Sequence, residues 1–233
     1  MNLPSSSQTP KLQVDAVLCI SLKERRDRRR MVADEFKKSG LQIEFVLVDK
    51  DVEDSQRGCF MSHQQCARLI IERGYRNALI LEDDATLLTW KASRIQRLNR
   101  FLQTVEPELL HLGVILGKMW LTWHPGIARC RAAGAHAYII SRAASEKLLN
   151  YRFNGLGIDT LYRREFKQYC AFPMLSQQQP HHIAGSDIEA TRRRVVLAEK
   201  GQHRLDVDLT WNLNRRKQYR QILINAWKTA FRG

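Results

Sequence analysis

Residues 78–88, A-L-I-L-E-D-D-A-T-L-L, constrain this chain more than any other stretch. Four apolar residues, Ala78 to Leu81, run straight into Glu82, Asp83 and Asp84 before the chain turns apolar again. An apolar run this short reads as a buried strand, although periodicity alone does not separate it from a turn of helix. Side chains alternate along a strand, which puts Glu82 and Asp84 on one face and Asp83 on the other. Open α/β sheets bind ligands just beyond the carboxyl ends of their strands. Carboxylates gathered there repel one another unless a cation sits among them. Mg2+ or Mn2+ suits such oxygen donors together with a substrate phosphate. The triplet is therefore either a metal–diphosphate site or a polar strand end with a solvated turn.

The flanking segments predict the rest of an α/β domain. Residues 14–22 form a strand candidate, followed by K-E-R-R-D-R-R-R. Met31, Val32, Glu35 and Phe36 carry that run onward at helical spacing until Ser39-Gly40 stops it. Residues 43–48 are a second β-rich run, completing the β-α-β opening of parallel-sheet domains. Residues 58–73 predict a helix closed by Gly74, with Cys59, Ser62, Cys66, Leu69 and Ile70 on one side. Ser62 and His63 fall in its opening turns. For His63 the functional reading stands beside a structural, hydrogen-bonded histidine.

Beyond the triplet, a helix is expected over 91–105 and a buried strand over 109–116. In the segment G-K-M-W-L-T-W-H-P-G, Trp120, Trp123 and His124 either form a loop that stacks on a sugar ring or, for the tryptophans, fill core; one tryptophan is expected inside and the other at the surface. A strand over 136–141 and a helix over 143–151 follow. Asp159 opens the next helix, as a first-turn carboxylate facing the helix dipole or as a catalytic group. His181 and His182 are either further metal ligands or exposed loop residues.

The 38 Lys+Arg against 24 Asp+Glu leave a net charge of +14, which favours an anionic partner: nucleic acid, an acidic membrane surface or phosphorylated substrates. Of the arginine cluster Arg25, Arg26, Arg28, Arg29 and Arg30, one or two suit a phosphate by two-point contact, and the others suit a solvated helix face. A nucleic-acid binder would use this cluster and Arg192 to Arg194, but it leaves the acidic triplet unexplained and no recognised motif supports it. Tyr219, Ile222, Leu223, Ala226, Trp227, Ala230 and Phe231 step by three and four, with cationic residues between them. That basic amphipathic C-terminal helix either docks on the domain or lies in an anionic membrane interface. Five scattered cysteines without C-x-x-C spacing argue for a reducing compartment, and no apolar run approaches the ~18 residues of a membrane span. The N-terminus lacks a secretory layout. The expected organisation is a disordered tail over 1–12, an α/β domain over 13–200 and a helical extension over 201–233. The expected location is cytoplasmic, with peripheral attachment to a membrane face as the variant.

In order, the blocks I-S-L-K-E-R-R-D-R-R (20–29), G-C-F-M-S-H (58–63), L-I-L-E-D-D (79–84), A-Y-I-I-S-R-A-A-S-E-K-L-L (137–149) and G-I-D-T (157–160), with the later P-x-x-x-Q and S-D-I segments, resemble glycosyltransferase family 25, the lipopolysaccharide and collagen galactosyltransferase-like family. The resemblance spans roughly residues 14–188. It implies a single GT-A-like domain with a Rossmann-like, mostly parallel sheet flanked by helices. It also implies an inverting transfer of sugar, with UDP-galactose the favoured donor, to a glycan or glycolipid acceptor. In that reading the triplet replaces D-x-D: Glu82 and Asp84 hold Mn2+ or Mg2+, and Asp83 lies with the donor. Ser21, Arg25 and Arg28 match the nucleotide-side block, with Ser21 standing where the family usually has Asn. Gly58, Ser62 and His63 match the second block. Asp159, then His63, are the candidate bases for the acceptor hydroxyl.

Overall fold

A computed structural model describes residues 10–179 together with Arg216 and Arg220. In chain order its elements are β1 (Ala16–Leu22), α1 (Arg26–Phe36), β2 (Glu44–Val48), α2 (Ser55–Glu72), β3 (Asn77–Glu82) and β4 (Ala85–Leu87). Then come α3 (Ala92–Val105), β5 (Leu109–His111), β6 (Leu116–Leu121), β7 (Ile127–Ala133), β8 (Ala137–Ser141), α4 (Arg142–Leu149), α5 (Ile158–Glu165), β9 (Gln168–Ala171) and β10 (Ser176–Gln178). The expected C-terminal helix, the pair His181 and His182, the S-D-I segment and Arg192 to Arg194 lie outside the described residues, as does most of the 1–12 tail.

The large sheet has the order β2-β1-β3-β8-β5-β9-β7-β6. All its strands run one way except β7 and β8, so the expected α/β class and predominantly parallel direction hold. Period-2 alternation sorts the central strands between two cores. Val17, Cys19, Leu79 and Leu81 face α1 and α3, packing with Val32, Phe36, Ile95, Leu98 and Phe101. Leu18, Ala78 and Ile80 face the other way, onto Phe60, Cys66 and Ile70 of α2 and onto α4 and α5. Each large apolar side chain buried in this way contributes about 1.5–3 kcal/mol. The same parity carries Glu82, two residues after Ile80, to the α2 side. Leu12 belongs to the first core, and Lys11 O accepts from Asn99 Nδ2, so residues placed in the tail by sequence pack on α3.

Four expectations are corrected. The strand does not carry its alternation through the triplet: β3 ends at Glu82, and Asp83 and Asp84 form the turn into β4. Asp83 and Asp84 therefore both come near one cation, Arg28, and do not point to opposite faces. Helix α2 begins one turn earlier than expected, because the Asp54 side chain caps it by accepting from Gln56 N and Arg57 N. The strand expected over 109–116 stops at His111. There Leu112 O accepts from both Leu175 N and Ser176 N, and a Cβ on Gly113 would stand 1.9 Å from Ser176 O, so the chain must bend past β10. The segment after Trp120 is a β-hairpin rather than a loop; Trp120 is half-buried in β6, and Trp123, 99% exposed, is at the tip. No described helix is long and apolar enough to cross a membrane.

Candidate active site

A cleft opens at the carboxyl ends of β1, β2 and β3, beside the first turns of α2. Ser21, Arg28, Gly58, Ser62, His63, Glu82, Asp83 and Asp84 line it, together with Asp49, Lys50, Asp51 and Gln178. Arg25 and Asp159 are not among the lining residues. Arg25 pairs with Asp27 at the start of α1. Asp159 stands half-buried in the first turn of α5, where Gly157 packs close to both Asp159 and Gln56 of α2.

The 20–29 block is ordered by Arg29, a member of the arginine cluster that the resemblance did not single out. Arg29 Nη1 donates to Leu22 O at 2.6 Å and to Ser21 Oγ at 3.2 Å, and Nη2 donates to Lys23 O at 3.0 Å. Its neighbour Arg28, one helical step away, turns inward and donates Nη1 to Asp83 Oδ1 at 2.9 Å. On the far wall, Asp51 Oδ1 accepts from Glu53 N and Asp54 N, and its carboxylate takes Arg57 at 2.6 Å. Arg57 holds the Asp51 carboxyl down at about 2. This clamp presses the loop against α2, where a Cβ on Gly58 would come within 2.8 Å of Asp51 Cβ. Gly58 is thus required by close approach. Ser62 Oγ donates to Gly58 O, a bond within the helix.

The three carboxylates have different surroundings. Glu82 Oε1 lies 3.3 Å from His63 Nε2. Burial acts to raise the Glu82 carboxyl, but the hydrogen bond to His63, with the nearby Arg28 guanidinium, outweighs it and leaves it below its ordinary range. Asp83 is raised by burial in spite of Ser21 and Arg28. Asp84 is pushed up to about 7, first by burial and then by the Glu82 charge. Its Oδ2 accepts from Gln178 Nε2 at 2.8 Å, while its buried Oδ1 has no hydrogen-bond partner among the described residues. Gln178 arrives because β10 pairs antiparallel with β4, opposite Ala85.

Behind the cleft floor runs a buried chain of polar groups. His63 Nδ1 lies 2.8 Å from Tyr138 Oη, which lies 2.8 Å from Tyr162 Oη. Next to it, burial holds His111 down to about 3 and His136 to about 4, so both stay neutral. Sequence reasoning missed Arg29, Asp51, Gln178, Tyr138 and Tyr162. The last two lie in strand and helix patterns that already read as core, and no local signal marks their hydroxyls as partners of His63.

Residues 47–122, from the end of β2 to just past β6, match the model of glycosyltransferase family 25 (LPS biosynthesis protein). A family 25 member from Drosophila pseudoobscura pseudoobscura is 26% identical over 139 residues, 48% of this chain and 22% of its own length. The chain therefore spans about a fifth of that relative. Among solved structures, A197 from STIV is 12% identical, with 70% of this chain and 85% of that one covered at a TM-score of 0.49. A mutant Drosophila galactosyltransferase 7, solved with manganese, UDP-Gal and xylobiose, is 11% identical over 83% of this chain and 82% of its own at 0.44. Likenesses that distant carry no argument about chemistry. The resemblance read from the motifs is nonetheless shown, over residues 47–122: this part of the chain matches glycosyltransferase family 25.

Proposed function

We propose that this chain transfers a sugar from a nucleoside diphosphate donor, UDP-galactose, to a hydroxyl of a glycan or lipid-linked saccharide, with inversion, in lipopolysaccharide or related glycan synthesis. One observation carries the proposal. The family-matched stretch folds so that the acidic triplet and α2's opening turns face a single cleft at the carboxyl ends of parallel strands, where Arg28, from outside that stretch, joins them.

The residues present fit a divalent cation. Asp84 has a buried carboxylate oxygen without a partner among the described residues, and its proton affinity is raised by burial and then by the neighbouring Glu82 carboxylate; an added positive charge offsets both. Glu82 and Asp84 would hold Mn2+ or Mg2+ through hard oxygen donors. Once bound, the ion supplies positive charge for the diphosphate as it leaves. Arg28 adds a second, fixed positive charge on the same side. Gly58 lets the Asp51 loop pack directly against α2, so that loop and helix together form one wall of the nucleotide cleft. The acceptor proton is assigned to Asp159, beside the end of α2 that opens on the cleft. His63 is the second choice because Tyr138 and Glu82 already engage both its ring nitrogens.

The Arg28–Asp83 ion pair favours one rival, a sugar-nucleotide-binding relative without turnover, in which the arginine neutralises the acidic corner. Purified full chain, incubated with UDP-sugars, Mn2+ and candidate saccharides, separates the two by UDP release. Release with a UDP-sugar that is lost in D84A supports the transferase. Donor binding by calorimetry with no release on any acceptor or on water supports the rival. Membrane attachment rests on the sequence of the C-terminal stripe alone. Removing residues 218–233 is expected to shift protein from the membrane to the soluble fraction, and an unchanged distribution leaves that segment a docking element.

A further inference from the structure

We propose that Cys59, His63 and Glu82 form a zinc site at the floor of the cleft. One ligand atom from each lies within 4.8 Å of the other two, the one such group of three or more among the described residues. Cys59 and His63 are four residues apart on α2, so they share a face one helical turn apart. Strand parity brings Glu82 to that same face. Tetrahedral zinc, with bonds of about 2.0–2.3 Å to these donors, sets its ligand atoms about 3.3–3.6 Å from one another. His63 Nε2 and Glu82 Oε1 already stand 3.3 Å apart, so only the Cys59 sulfur needs to draw in.

The donor set selects the metal. Thiolate, imidazole and carboxylate together suit a borderline-soft ion, whereas Mg2+ and Mn2+ prefer oxygen donors alone. A thiolate and a carboxylate neutralise the two charges of Zn2+. The outer layer is also in place. With zinc on Nε2, Tyr138 Oη, 2.8 Å from Nδ1, would accept the Nδ1 proton, and Tyr162, 2.8 Å further on, holds Tyr138 in place. Both tyrosines are buried, so the ring is held in one orientation. Cys59 is half-buried while the other four cysteines are buried, so it is the thiol a metal entering from the cleft meets. Three protein donors leave a fourth position open to water or to a ligand in the cleft.

The site stands on this geometry alone and needs no donor or acceptor. Its consequence for catalysis rests on the transferase reading: Glu82 is in both donor sets, so zinc bound here competes with the hard cation.

The test uses full chain stripped of metal, titrated with Zn2+ against a chromophoric chelator. One tightly held ion is expected, at least about tenfold weaker in C59S and in Y138F. Cobalt substitution of the wild-type chain gives a second measurement that needs no variant. A thiolate-to-cobalt absorption band that is absent in C59S supports the site. Zn2+ affinity equal in wild type and folded C59S, or a cobalt spectrum without a thiolate band, overturns it. Neither readout involves UDP-sugar, so failure of the transferase reading leaves this test standing.

Discussion

Arg28 Nη1 meets Asp83 Oδ1 at 2.9 Å across 55 residues of chain, tying helix α1 to the turn that ends β3. Both side chains are more than nine-tenths buried. Such a pair is weak evidence of net stability, but breaking it from one side strands a charge in a low-dielectric site. R28M is therefore expected to lose about 3–5 kcal/mol by urea denaturation. The double variant R28M/D83N should recover part of that loss, because the Asp83 charge is no longer stranded while Asp84, 4.0 Å from the same guanidinium, still loses its cation. A loss below about 1 kcal/mol in R28M would show that water reaches Asp83 and solvates it.

Asp84 makes the opposite prediction. Its folded value of about 7 lies above the ordinary 3.8, so the folded chain binds the extra proton between those limits. Stability from this group is complete below about 3.8 and is lost as pH rises through 7. D84N removes the charge and keeps the shape. It is expected to be more stable than wild type at pH 8, on the order of 4 kcal/mol, with the gap closing by pH 4. The same variant should lose Mn2+-dependent UDP release. A thermal midpoint at pH 8 equal to wild type would mean that Asp84 is ionised without strain and has no unmet need for a cation.

How far the sequence led is clearest at the triplet. The run Ala78 to Leu81 predicted its strand because four apolar residues can be buried on two faces at once, and both faces are buried. What periodicity could not supply was where alternation stops. That was decided by the turn into β4 and by the arrival of Arg28 and Gln178 from 55 and 94 residues away in sequence. Antiparallel β7 and β8 were invisible for the same reason, since strand direction is set by partners and not by local pattern. The motif residues of the cleft were legible as short blocks. Arg29 was not, because five neighbouring basic residues look alike until the backbone turns one of them toward the carbonyls of Leu22 and Lys23.

Gly58 tests whether the cleft wall tolerates motion. In G58A the new methyl falls 2.8 Å from Asp51 Cβ, well inside van der Waals contact. The helix is held by the Asp54 cap, so the loop must yield. Overpacking of this kind costs about 1–3 kcal/mol. Since Asp51 and Gly58 line the cleft, the variant is expected to bind UDP at least about fivefold more weakly by calorimetry while retaining a cooperative thermal transition. Unchanged UDP affinity would place the nucleotide away from this wall.

His111 gives the acid limit of the fold. Burial keeps its folded value near 3, below the ordinary 6.5, and the neighbouring His136 adds to the effect. Between those limits the unfolded chain binds a proton that the folded chain refuses, so stability falls as pH falls from about 6.5 toward 3. The Asp84 contribution runs the other way over nearly the same window and that of His136 runs with it, so the wild-type profile alone does not isolate His111. The difference between wild type and H111F isolates the histidine, because phenylalanine fills similar volume and never titrates. That difference is expected to grow by on the order of 3 kcal/mol in favour of H111F between pH 7 and pH 4, read by urea denaturation. A constant difference across that range would require water or a polar partner at the imidazole, and with it a wetter interior behind His63 than the packing of Tyr138 and Tyr162 allows.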